Sequence, residues 1–338
     1  MNKEIQIFAI GRTSAWAKKL TEALPELRLA ELKERDFEDG EHKIRPLESV
    51  RGKTVFVVHS LYSDEEQSVN DKICRLLFLI GALKDASAAT VNVVTPYFAY
   101  ARKDRQTKSR DPISIRYLAQ LFEAAGADSV MSLDIHNLAA FQNAFRIPTV
   151  HLEAKVLFAP VIANLVKEDS IAIVSPDVGG LKRAEKFREL LSELLQKDVA
   201  SAFLEKKRSG GKVTTGDAII GDVEGRVAII VDDIISSGTT VGLAVDALSK
   251  QGAKKIWACA THGLFVGKAN EVLANSKLEK ILITNSVEPF RLKKQLREEK
   301  VDILDASKLF AHAIKRIAEG DSVVELMEKY PYERSTAP

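Results

Sequence analysis

The sequence predicts an α/β protein with two domains, each built on a largely parallel sheet. Three observations carry that prediction. Short β-rich runs alternate with amphipathic helices along most of the chain. One strand–loop–helix–strand pattern occurs twice. The chain has 338 residues, enough for two buried cores of about 150 residues each.

In chain order, strands are expected at Ile5–Ile10, Thr54–His59, Thr90–Pro96, Ser129–Leu133, Ile171–Ser175, Val227–Val231, Lys255–Ala260 and Lys280–Thr284. Each is a short run of apolar, mostly β-branched residues bounded by polar or small ones. Helices fill the intervals. One is expected around Asn70–Lys84. Ile115, Leu118, Ala119 and Phe122 form the next apolar stripe, with Ser114 expected as its N-cap. Phe187, Leu190, Leu191, Leu194 and Leu195 fall at i, i+3, i+4, i+7 and i+8. Val241, Ala244, Val245 and Leu248 repeat that geometry, and residues 302–319 read as a strand and a helix before a frayed tail. The repeat pairs TVFVVHS (54–60), its helix and ASAATVNVVTPY with RVAIIVDDIISSGTT (226–240), its helix and QGAKKIWACATHG. It is too long for a solenoid unit and implies a duplicated domain. Domains are expected at 1–150 and 151–300, with 301–338 as a C-terminal strand, helix and tail.

Composition narrows the class of function. Lys and Arg number 49 against 47 Asp and Glu, for a net charge of +2; apolar residues make up 46% and charged residues 28%. This is the profile of a soluble globular protein. The charge balance offers no electrostatic case for wrapping nucleic acid or coating a membrane. The N-terminus lacks a signal-peptide core, and Leu76–Leu83 is too short to span a bilayer. Cys74 and Cys259 have no CxxC or metal-spaced partners and read as buried thiols in a reducing compartment. A cytoplasmic protein is expected.

Four stretches carry chemistry. The first is VDDIISSGTT (231–240), where an apolar strand ends in two carboxylates and a small-residue loop opens a helix near Thr240. Ligands of open α/β sheets bind at such strand ends. Backbone N–H groups and the hydroxyls of Ser236, Ser237, Thr239 and Thr240, with Gly238 for close approach, suit a phosphate monoester. Asp232 and Asp233 would repel the phosphate and suit sugar hydroxyls or hydrated Mg²⁺. The alternative is a capped helix with two solvated acids.

The second stretch, SPDVGG (175–180), precedes a helix near Lys182. Gly179 and Gly180 would bring backbone against a diphosphate and Asp177 would hold a metal or hydroxyl; a tight turn reads the same way. The third is PYFAYARKDR (96–105), which with Lys108 and Arg110 forms a local basic stretch at a strand end, either a phosphate site or a solvated face. Beyond it, Asp134 and His136 emerge on one side of another strand end. The fourth, EKKRSGGKVTTGD (205–217), reads as a mobile loop whose Lys and Arg would close over phosphates, or as a solvated hairpin tip.

Taken together and in this order, these stretches resemble the ribose-phosphate pyrophosphokinase (phosphoribosyl diphosphate synthase) family. FEDGE (37–41), ESVRG (48–52), PYFAYARKDR, DIH, VSPDVGG, KKR, VDDIISSGTT, ATHGLFVGKA and ITNSV carry the resemblance. It implies two tandem phosphoribosyltransferase-like domains, and transfer of the diphosphoryl group of ATP to the 1-hydroxyl of ribose 5-phosphate. AMP and 5-phosphoribosyl 1-diphosphate would be the products. It further implies that Phe37 stacks on adenine, with Asp39 and Glu41 on its polar edge, supplied to a neighbouring subunit of a dimer or hexamer. Arg102, Lys103 and His136 would hold ATP, and His136 and Asp177 its Mg²⁺. Asp177, Gly179 and Gly180 would form the diphosphate loop. Asp232, Asp233, Ser236, Ser237, Gly238, Thr239 and Thr240 would take ribose 5-phosphate, and Lys206 and Arg208 would be catalytic. Lys103, Ser236 and segment 137–151 depart from the common pattern, which implies a divergent member. A phosphoribosyltransferase would share the 232–240 loop but need neither Phe37–Glu41 nor Lys206–Arg208. A non-catalytic partner subunit is the other competing reading.

Overall fold

The computed structural model describes residues 5–205 and 218–328, together with the backbone of 208–209 and 212–213. The chain divides into two compact units, Met1–Glu153 with Ala306–Tyr330, and Ala154–Asp305.

The first unit runs β1 (Ile5–Ala9), α1 (Thr13–Ala23), β2 (Leu32–Asp36), β3 (His42–Pro46), β4 (Thr54–Val58), α2 (Val69–Asp85), β5 (Thr90–Thr95), α3 (Ser114–Ala125), β6 (Ser129–Leu133), α4 (Leu138–Ala144) and β7 (Thr149–Leu152). Five strands form a wholly parallel sheet in the order β1-β4-β5-β6-β7. β4 (TVFVV) is buried along its whole length, as parallel strands covered on both faces are. α2 is started by a capping box in which the Ser68 hydroxyl accepts the Asp71 N–H while the Asp71 carboxylate accepts the Ser68 N–H. It buries Ile73, Leu76, Leu79, Ile80 and Leu83 against the sheet. β2 and β3 form an antiparallel hairpin with no ladder to that sheet.

The second unit runs α5 (Lys155–Leu165), β8 (Ile171–Ser175), a single 3₁₀ turn (Val178–Gly180), α6 (Leu181–Leu195), β9 (Ala200–Glu205), β10 (Arg208–Ser209), β11 (Lys212–Val213), β12 (Ala218–Ile220), β13 (Val227–Ile235), α7 (Thr239–Lys250), β14 (Lys255–Gly263), α8 (Ala269–Leu273), β15 (Leu278–Thr284), α9 (Lys294–Lys300) and β16 (Val301–Leu304). Its seven-stranded sheet has the order β12-β9-β8-β13-β14-β15-β16. Every pair is parallel except β12 with β9. From β8 the chain moves outward to β9, then returns to β13 on the other side. That reversal is a topological switch point between β8 and β13. The first unit shows the same reversal in reduced form: Leu29 makes a parallel bridge to Ile7 of β1, and β4 lies on β1's other side. Both repeats noticed in the sequence therefore occupy matching places, β4–α2–β5 and β13–α7–β14.

The α/β class with parallel sheets flanked by helices is the one found, with several differences in detail. β13 continues to Ile235, so Asp232 and Asp233 lie within the strand, and Asp232 pairs in register with Ala260. Ser114 is the first helical residue of α3 rather than its N-cap; Ile113 takes that place without a side-chain cap. Cys259 is buried but Cys74 is exposed, because position 74 falls off the Ile73/Leu76/Ile80 stripe of α2. Residues 301–328 divide between the two units. β16 completes the edge of the second sheet, while the helix Ser307–Glu319 packs on α1 of the first unit. There the Phe310 ring meets Trp16 edge-on at 5.3 Å, and Lys315 pairs with Glu26. No helix among the described residues is long and apolar enough to cross a membrane.

Candidate active site

In the second unit, the loops after β8 and β13 flank the switch point. Asp177 follows β8 and caps the 3₁₀ turn, its carboxylate accepting the Gly180 N–H at 3.1 Å. The Ser175 hydroxyl donates to the Asp177 carbonyl at 2.6 Å. A Cβ on Gly180 would stand 2.8 Å from the Ser175 oxygen at an ordinary φ, so a larger residue there would push that hydroxyl aside. At the end of β13, Asp233 is buried and Asp232 partly so. Strand alternation turns them to opposite faces, yet one guanidinium serves both. Arg183, in the first turn of α6, places Nη1 3.4 Å from Asp232 Oδ1 and 3.1 Å from Asp233 Oδ1. The Asp233 N–H also donates to Asp232 at 2.8 Å. Burial, and then the charge and side-chain hydrogen bond of Asp233, push the Asp232 carboxyl up to about 8, against the pull of Arg183.

Beyond the acids, Ser236 and Ser237 lead into α7, which begins at Thr239, one residue earlier than expected. Gly238 takes a left-handed φ of 76°, which the turn into the helix requires. The Ser237 and Thr239 hydroxyls lie 2.9 Å apart at the start of α7, beside Thr240. Free N–H groups of a helix's first turn, ringed by hydroxyls, form an anion-binding arrangement.

In the first unit, the loop after β5 and the turn after β6 are joined where Asn137 donates to Asp104 at 2.5 Å. Arg102 is exposed on the first and His136 on the second. Lys103 is held by Asp111 at 3.0 Å. The Thr107 hydroxyl and then Lys103 hold the Asp111 carboxyl well below the usual range. Of the five cations in this basic stretch, Lys103 is thus partnered within its own loop. Phe37, Asp39 and Glu41 occupy the tip of the β2–β3 hairpin. The tip closes by Phe37 N–H to the Glu41 carbonyl at 2.8 Å and Glu41 N–H to the Asp39 carboxylate at 3.1 Å. The Phe37 ring is exposed, with the Arg35 guanidinium 5.0 Å from its centroid. Lys206 and the side chain of Arg208 lie outside the described residues.

Comparison with known proteins matches both ends of the chain to one family. Residues 5–126 match the N-terminal domain of ribose phosphate pyrophosphokinase, and residues 198–328 the phosphoribosyl synthetase-associated domain. The chain is 38% identical over 327 residues to a ribose-phosphate pyrophosphokinase of Fusobacterium nucleatum, covering 95% of this chain and 98% of that one. It is 39% identical over 322 residues to one from Caldanaerobacter subterraneus, covering 95% and 97%. The chain belongs to the ribose-phosphate pyrophosphokinase family. A crystal structure of phosphoribosylpyrophosphate synthetase from Mycobacterium smegmatis agrees, with a TM-score of 0.84 at 31% identity, covering 94% of this chain and all of that one.

Set beside its family's motifs, the chain shows residues that no motif pointed to. Arg183 is one, reaching two acids that lie 49 and 50 positions downstream. His151 is another, accepting the Ile135 N–H at 3.2 Å and so bracing the turn before His136, where Asp134 takes a φ of 38°. Among the described residues no group of three or more His, Cys, Asp or Glu is arranged to hold a metal ion. The adjacent carboxylates of Asp232 and Asp233 are nonetheless hard oxygen donors of the kind Mg²⁺ takes one or two at a time, the rest coming from water and phosphate.

Proposed function

We infer that this chain is a ribose-phosphate diphosphokinase, transferring the β,γ-diphosphoryl group of ATP to ribose 5-phosphate. The 1-hydroxyl oxygen of the sugar forms a bond to the β-phosphorus of ATP. The bond from that phosphorus to the α,β-bridging oxygen breaks, AMP leaves with its electron pair, and the hydroxyl proton is released. What supports this reading is the arrangement at the end of β13, where two carboxylates precede a hydroxyl-lined helix start at a switch point. The sugar 5-phosphate is assigned to Ser236–Thr240 and the sugar hydroxyls to Asp232 and Asp233. The diphosphate is assigned to Asp177, Gly179 and Gly180, and the nucleotide to Phe37, Asp39, Glu41, Arg102, Lys103 and His136.

Mg²⁺, carried on the nucleotide phosphates and held by His136, Asp177 or the Asp232–Asp233 pair, would neutralise phosphate charge. Lys206 and Arg208 are assigned to the charge that builds on the transferred group, where such donors act most strongly. The family resemblance carried by FEDGE (37–41) assigns that tip to a nucleotide bound by a second copy, in a dimer or hexamer. Light scattering of the purified protein tests that arrangement.

The deciding experiment supplies purified protein with Mg-ATP and ribose 5-phosphate and follows AMP and the sugar diphosphate by ³¹P NMR. Equal amounts of both are expected. Lys206→Ala should lower turnover by roughly 10²–10³-fold with an unchanged circular dichroism spectrum. No product from the wild type, or full activity in that variant, overturns the assignment. Product only from a nucleotide plus diphosphate would mark a phosphoribosyltransferase instead.

A further inference from the structure

The β2–β3 hairpin has no ladder to the parallel sheet of its unit, so side chains must hold it in place. α2 supplies them. Arg75 and Phe78 are three residues apart and share one face of that helix. Phe78 stacks on His42 at the start of β3, ring centroids 5.3 Å apart. Arg75 is buried, only 7% exposed, and its guanidinium meets two carboxylates of β2: Nη1 lies 3.6 Å from Glu34, and Nη2 bonds Asp36. Glu34 is pinned from behind by the Gly11 N–H at 2.8 Å. A buried guanidinium is costly unless paired, and pairing it usually adds little net stability over an apolar residue of similar size. Both acids that pair it lie on the strand leading directly into Phe37. The arrangement serves position better than it serves stability.

We propose that Arg75 is a positioning residue for nucleotide binding, which locks the root of the Phe37–Glu41 tip through Asp36 and Glu34 without itself touching the nucleotide. The proposal rests on the assignment of that tip to the adenine of ATP. Burial and the Arg75 charge also lower the His42 pKa, which favours the neutral ring that stacks on Phe78.

Steady-state kinetics with both substrates varied test it on the full-length enzyme. Asp36→Asn and Arg75→Met should each raise the KM for ATP about tenfold, while kcat and the KM for ribose 5-phosphate stay within about twofold. Arg75→Lys should recover most of the loss, and the double variant should be no worse than Arg75→Met alone, since the two residues act as one unit. Asp36 has a side chain about two-thirds exposed, so Asp36→Asn decides the matter even if Arg75→Met fails to fold. An unchanged KM for ATP in Asp36→Asn, or an equal loss in kcat and both KM values, overturns the proposal. Phe37→Ala separates the two levels. If it raises the KM for ATP while Asp36→Asn does not, Arg75 loses its role and the adenine assignment stands; if it leaves that KM unchanged, both fall.

Discussion

Asp232 binds a proton more tightly in the folded chain than in the unfolded one, where an aspartate titrates near 3.9. Its carboxyl is pushed up to about 8 by burial and by the charge of Asp233. Between about pH 4 and pH 8 the folded state therefore holds the extra proton, and stability falls as pH rises through that window. Asp232→Asn removes this dependence. Without ligand, it should melt above the wild type at pH 8.5, with the gap closing by pH 5, and the same preparation should have lost turnover. A gap that does not widen with pH contradicts the account. The site thus holds two acids together at a cost in stability, as functional sites commonly do. Arg183 offsets part of that cost, and nothing local announced it. It lies on α6, and only the fold brings it beside acids in β13. Arg75 was hidden for the same reason, its partner Asp36 being 39 residues away.

Elements that were legible in the sequence are those whose signal is burial. β4, β8 and the first half of β13 are continuous apolar runs, and α3, α6 and α7 carry stripes at helical spacing. The β2–β3 hairpin was missed because LKERD and HKIRP are short, charged and mostly exposed, with no apolar face to betray a strand. β12 is the sheet's edge strand and β9 its neighbour, and each buries too few residues to give a continuous apolar run. Loops after β8 and β13 were legible because each places small polar residues directly after a buried strand. Of the two glycines after β8, the structure ties Gly180 to the Ser175 hydroxyl. Gly180→Ala forces that hydroxyl, and with it the Asp177 carbonyl, to move. It should cost about 1–3 kcal/mol of stability and lower turnover, measured by thermal melts and the ³¹P NMR assay. An alanine variant with wild-type melting and activity would show that the loop has slack.

At the scale of the whole molecule, each unit contains one tryptophan, Trp16 in the first and Trp257 in the second, so each can be followed separately. His59 contributes to the first unit's acid response. It is buried, with Nδ1 3.2 Å from the Thr13 hydroxyl and Nε2 without a partner. Burial, followed by the Lys72 and Arg75 charges, lowers its pKa to about 3. Unfolded, it titrates near 6.5, so the first unit is most stable above that pH and loses about 1.4 kcal/mol per pH unit as pH falls from there toward 3. Denaturation of a Trp257→Phe background followed through Trp16 should show that loss between pH 7 and pH 5, and His59→Asn should flatten it; equal losses in both would refute it. The start of α2 is the first unit's counterpart of the α7 start, and the Asp71 carboxylate already occupies it, accepting the Ser68 N–H at 2.9 Å. A duplicated chain would have room for two sugar phosphates. This one should titrate with a stoichiometry of one ribose 5-phosphate per polypeptide, because its other copy carries its anion as a covalent part of itself.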